Sequence, residues 1–219
     1  MKKIVSTILV LVAMTMLLAG CGRELVKGNV SGKAYYDLVI HGDSTEMTSI
    51  GLSEEESKTI LDKRKTELVA ATKSTFTKSS LKVSDADIDR IVEAELNVLK
   101  KLNGTAEVVS EDGDTQTVKI STNYVDIDEI ANRASTETVT EVTNLQLTSE
   151  SEIEAKVIEV YINKLVEYLN QAQISTDSHE TSFTFNKELV DCNGKVKQVY
   201  TPEDPQAFGA KVVEISSKK

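Results

Sequence analysis

Cys21 is the side chain of this sequence whose chemistry is most legible, because of what stands before it. Leu18-Ala19-Gly20-Cys21 follows an uncharged run from Ile4 to Leu17; Lys2 and Lys3 precede the run, and the next charge is Arg23. A basic start, an apolar core and small residues ahead of a cut are the parts of a secretory signal. A cysteine just after the small residues adds a nucleophile. Its thiol takes a diacylglyceryl group through a thioether, and the chain is then cut between Gly20 and Cys21. Ile4 to Ala19 is short for a membrane span of about 20 residues, and a cut without lipid would leave Cys21 unexplained. Each buried methylene contributes about 0.8 kcal/mol, so two long acyl chains hold a protein where one is marginal. The expectation is a signal peptide over 1–20, lipidation at Cys21, a lipidated tether over 21–32, and one domain over 33–219. Lipid on Cys21 would hold that domain, outward-facing, at the cell membrane.

Other reactive side chains are few and poorly placed for chemistry. With Cys21 consumed by lipid, Cys192 has no cysteine to pair with. It sits beside a hairpin turn, where a small residue suffices. His41 and His179 fall at element edges and belong to no HxxxH or CxxC spacing. Asp85, Asp87 and Asp89 alternate like calcium ligands, but the glycine and the terminal glutamate of such a loop are missing. They stand where acids favour a helix N-terminus. No serine lies in a nucleophile-elbow pattern and no glycine-rich phosphate loop is present. The 35 acidic residues permit almost any carboxylate pair, so none is singled out. No catalytic, cofactor or metal residue is expected, and the chain is not expected to be an enzyme.

Composition narrows the partners. Removing Lys2 and Lys3 with the signal takes the net charge from −10 to −12 over 199 remaining residues. Phosphates of nucleic acids and anionic headgroups repel such a surface, which argues against nucleic-acid binding and leaves anchoring to the lipid. Tryptophan is absent and aromatics make up 5%, too few for a stacking site of the sugar- or base-binding kind.

Hydrophobic periodicity and start signals outline the elements that must position these groups. Gly22 to Ser31 carries two glycines and no sustained period, hence the tether. Ala34 to His41 reads as a short helix stopped at Gly42. Ser53 and Glu56 form a capping-box pattern for a helix to about Thr77, with Ile60, Leu61, Leu68, Val69 and Phe76 inward. Ser84 opens another, with Ile88, Ile91, Val92, Leu96, Leu99 and Leu102 on one face. Gly113 turns a hairpin whose second strand buries Val118, Ile120, Thr122 and Tyr124. Asp126 opens a helix, rich in threonine and valine, toward Leu147, and Ser149 the most regular helix. Its stripe of Ile153, Val157, Tyr161, Leu165, Tyr168, Leu169 and Ala172 is expected to be central and to lie across the sheet. Asn193-Gly194 turns a second hairpin, and Thr201-Pro202 is read as the start of a last helix. Pairing the hairpins predicts an α+β fold: an antiparallel sheet of about four strands packed against several helices.

The lipobox, Ala34-Tyr35-Tyr36-Asp37-Leu38 with Gly42-Asp43, Ile50-Gly51-Leu52-Ser53-Glu54-Glu55, the strand from Val118 to Ile127, and Pro202-Glu203-Asp204 with Phe208-Gly209 occur in an informative order. In these features, over about 33–215, the chain resembles a family of uncharacterised lipoproteins from low-GC Gram-positive bacteria. Members often carry tryptophan in the last strand, where Val199-Tyr200 stands here. The resemblance implies a surface location and no known catalytic residue. More loosely, the order of elements is similar to cone-shaped, nuclear-transport-factor-like lipoprotein domains, from which the separated hairpins depart. The expected role is a non-catalytic surface or envelope interaction module with an unidentified envelope or protein partner. The alternative is a small-ligand carrier with a pocket between sheet and helices.

Overall fold

The computed structural model of the protein describes residues 24–79 and 81–218; the signal segment and Cys21 lie outside them. The fold is α+β, as its periodicities require. Five strands form one sheet in the order β1-β5-β4-β3-β2, with β1 (Leu25–Val26), β2 (Gly104–Asp112), β3 (Thr115–Asn123), β4 (Ser178–Cys192) and β5 (Lys195–Pro202). β1 runs parallel to β5 and all other neighbours are antiparallel. The two anticipated hairpins supply four strands. The turns use residues at positive φ, Gly113 at 60° in the first and Asn193 and Gly194 at 57° and 80° in the second. Alternation in β3 is strict: Gln116, Val118, Ile120 and Thr122 are buried, and the residues between them are half-buried.

Among the described residues the sheet is joined by six α-helices: α1 (Gly28–Tyr36), α2 (Glu54–Lys78), α3 (Asp85–Leu99), α4 (Ile127–Asn144), α5 (Glu150–Gln171) and α6 (Pro205–Ser217). α1 widens into a π turn over Asp37–His41, which ends at Gly42 with φ 69°. A 3-10 turn, Met47–Ile50, precedes α2. Ser53 and Glu56 close the expected capping box at α2, and the Ser84 hydroxyl accepts from the Asp87 amide at α3. The threonine-rich helix α4 holds to Asn144. The hydroxyls of Thr136, Thr138, Thr140 and Thr143 each donate to the carbonyl four residues back, which satisfies them without breaking the helix.

Three expectations need correction. Residues 25–32, read as part of a tether, are built into the fold. Val26 is buried, Gly28 opens α1, and Gly28, Ser31 and Gly32 form a small-residue face against the sheet. A Cβ at Gly28 would stand 2.6 Å from Val118 Cγ2, so glycine is needed for contact rather than for looseness. The helices that lie on the sheet are therefore α1 and α6, not α5. α5 packs on α4 and α3, away from the strands. Its stripe is buried at Leu165, Tyr168 and Leu169, while Ile153 is 37% exposed. Finally, Thr201 and Pro202 end β5, and the last helix starts later: Asp204 Oδ1 accepts from the Gln206 and Ala207 amides and Pro205 is the first helical residue.

The core between sheet and helices is filled by aromatic rings. Phe208 of α6 meets Tyr35, Phe183 and Phe185 at centroid distances of 5.9, 4.5 and 6.0 Å. Tyr36 donates or accepts at Thr122 over 2.7 Å, and the Ser31 hydroxyl donates to the Tyr200 carbonyl.

Candidate functional site

The reactive side chains picked out from sequence turn out to be braces. His41 bridges the π turn and the end of α3: Nε2 lies 2.8 Å from the Leu102 carbonyl and Nδ1 2.9 Å from Asp37. His179 stacks on Tyr124 at 4.3 Å with planes 4° apart, and its Nδ1 is 3.0 Å from the Ile215 carbonyl, tying β4 to α6. Cys192 is buried where β4 turns into β5, and burial pushes its thiol above the ordinary range, away from the thiolate a nucleophile needs. Asp85 pairs with Lys73 at 2.8 Å, and Asp87 with the Ser84 hydroxyl and Arg90. The structure brings none of these together. Among the described residues no group of three histidine, cysteine, aspartate or glutamate side chains is placed to hold a metal ion. Cys21 lies outside those residues.

What the fold does build is a groove between two helix starts. Ser84 fixes the beginning of α3, and α5 runs past it from Ser149. Between the first turns of α3 and the first half of α5 lies an open groove of about 440 Å³. Ala155, Ile158 and Ile162 line its apolar part. Arg90 is tied on both sides, with Nη1 2.9 Å from Asp87 and Nη2 2.9 Å from Asn163. Its cation is thus held by one carboxylate and one amide instead of standing free for an anion. Lys82, Glu154 and Glu159 continue the rim, and Lys156 pairs with Glu159 at 3.0 Å. Chemically the groove offers an apolar strip between fixed charges of both signs. That arrangement can seat a side chain or an extended segment.

The tyrosines of α5 lie outside the residues lining this groove. Tyr161 meets Phe76 of α2 edge-on at 6.0 Å. Tyr168 donates to Glu137 of α4 and lies under Arg133, whose guanidinium is 4.1 Å from the ring centroid. Lys164 reaches Glu137 at 3.5 Å and Glu141 at 3.1 Å. The hydrogen bond from Tyr168 and the one from Arg133 hold Glu137 below the usual carboxylate range, while the same bond raises Tyr168. This is a surface lattice joining α4 to α5.

Two perturbed groups were missed from sequence. Burial pushes Glu95 of α3 up to about 7, and its charge in turn helps raise Tyr161, behind the larger effect of burial. Burial also lowers Arg64 of α2 to about 10, and its Nε and Nη2 have no hydrogen-bond partner among the described residues. A signal existed for both. Glu95 lies four residues after Ile91 and four before Leu99, and Arg64 stands likewise between Ile60 and Leu68, so each charge occupies its helix's apolar stripe.

No protein-family model and no curated protein matches the chain. Among solved structures, a Bacillus subtilis protein provisionally described as a lipoprotein, ycdA, is similar in fold, with a TM-score of 0.59 at 14% identity. The likeness covers 87% of this chain and 56% of that one, so the chain spans little more than half of its neighbour's length.

Proposed function

We propose that the chain is a lipid-anchored, outward-facing protein of the cell membrane whose folded domain is a non-catalytic module that docks an envelope protein or polymer. Leu18-Ala19-Gly20-Cys21 supports the anchor, and the shared fold with a Bacillus protein described as a lipoprotein is in keeping with it and with the family that the sequence resembles. No helix among the described residues is long and apolar enough to cross a membrane. The observation that carries the docking role is the α3–α5 groove, where Arg90 is held by Asp87 and Asn163 beside an apolar strip. An apolar strip bordered by polar and charged groups has the anatomy of a protein-interaction surface. The carrier reading has less support, because Tyr35, Phe185 and Phe208 occupy the space between sheet and helices that it needs.

Two measurements test this. In cells fed a labelled fatty acid, Cys21→Ala should lose the label and change how the precursor fractionates with the membrane; a retained label overturns the anchor. A photo-crosslinking residue placed at Ile158 in the membrane-bound protein should yield a discrete adduct. A yield no greater than that from Val139, on the exposed face of α4, overturns the groove.

A further inference from the structure

The sheet edge next to the anchor carries apolar side chains that the fold leaves uncovered. Leu25, Leu189 and Val196 are 43, 56 and 51% exposed. They share one face. Gln198 is the register partner of both Leu25 and Leu189, and Val196 stands two residues before Gln198 on the same strand. Asp191, opposite Val196, is turned to the hairpin, where Oδ1 accepts from the Gly194 amide. Charges beside the patch cancel: Lys27, Lys195 and Lys197 stand against Glu24, Glu188 and Asp191, with Lys197 and Glu24 paired at 2.9 Å. The patch therefore adds nothing to the repulsion that an acidic chain meets at anionic headgroups.

Chain length fixes where this edge must sit. The Glu24 carbonyl accepts from the Gln198 amide at 3.0 Å, so the sheet already holds the chain at residue 24. Only three peptide steps separate Glu24 from Cys21, a reach of at most about 11 Å even fully extended. A headgroup layer is itself about 5–8 Å deep on each side of the bilayer. A lipid on Cys21 would thus pull the β1 edge into contact with the membrane surface, with no spacer between.

We propose that the face carrying Leu25, Leu189 and Val196 is a membrane-contacting surface, seated at the headgroup–acyl boundary of the leaflet that holds the Cys21 lipid. The assignment rests on Cys21 being lipidated. It orients the domain: the β4–β5 hairpin faces the bilayer, and the anchor works together with a second, apolar contact of the folded protein.

The absence of tryptophan makes the test direct. Full-length Leu189→Trp and Val139→Trp, produced with the lipid attached, are placed in phosphatidylglycerol–phosphatidylethanolamine vesicles with brominated acyl chains. Both sites are exposed, at 56 and 62%, so each should accept the indole; Val196→Trp serves if Leu189→Trp misfolds. Emission from Leu189→Trp should shift to the blue and be quenched several-fold more than that from Val139→Trp. Equal or absent quenching on a lipidated protein overturns the surface alone. A blue shift that follows protein concentration and ignores bromination would mark an interface between copies, and also overturns it. If the intact mass shows no diacylglyceryl on Cys21, the anchor reading fails first and the surface falls with it.

Discussion

Val118, Ile120, Phe185, Val199 and Tyr200 in the sheet have no exposed surface, whereas α2 buries only Ser57 and Phe76 along 25 residues. The difference extends to how each region is specified. On the sheet side the contacts come from far along the chain: Gln116 accepts from the Gly28 amide at 2.8 Å, and its own amide donates to Glu111. In the outer layer burial is uneven: α3 and α5 bury Ile88, Ile91, Val92, Leu165 and Leu169, whereas α2 and α4 lean on capping side chains, threonines bonded one turn back and surface ion pairs. The sheet with α1 and α6 therefore holds more of the long-range contacts, and the outer layer more of the local ones. The outer layer keeps groups such as Glu95 and a half-open seam such as the α3–α5 groove.

Phe208→Ala should test this contrast most severely. It empties the contact of α6 with Tyr35, Phe183 and Phe185 and should cost about 3–5 kcal/mol in denaturant unfolding. Val157→Asp, on a half-buried position of α5, should cost clearly less; equal losses would erase the distinction. Next comes Gln116→Ala. It leaves the buried Gly28 amide without an acceptor and should cost about 1–3 kcal/mol, with amide exchange rising first at the start of α1. An unchanged exchange pattern would show that the first turn of α1 does not depend on β3.

A further effect is confined to the outer layer and to a pH window. Burial raises Glu95 from the ordinary 4.5 to about 7, so the folded protein binds a proton there more tightly than the unfolded chain does. Its stabilising contribution is full below pH 4.5 and is lost as pH rises through about 7. Glu95→Gln should flatten that part of the stability profile, measured as denaturation midpoints at the two ends of the window. An identical slope in the variant would remove Glu95 as its source.

Legibility in the sequence follows the same division. Capping boxes and tight turns are local signals, so Ser53, Ser84, Gly113 and Asn193-Gly194 could be read directly. The start of α1 could not be placed because Lys27 provides no side-chain cap; the acceptor for its first amide lies 88 residues away on β3. Its glycines resemble a linker until Val118 is found against them. α5 misled for the opposite reason. Its period is regular, yet a stripe states only that a face is covered, and here α3 and α4 cover it in place of the sheet. At the site, His41, His179 and Cys192 were legible as isolated side chains, and the structure keeps them apart. The groove was invisible because its walls come from helices more than 60 residues apart in sequence.

The parallel pairing of β1 with β5 also has a kinetic side. Lys197 meets Glu24 across 173 residues, among the longest loops this chain can close, and contacts of that kind form late because closure entropy must first be overcome. α1 is bound to the same schedule, since it needs β3 for its cap and its glycine face. Glu24 and Leu25 are thus among the last residues to be paired with the sheet.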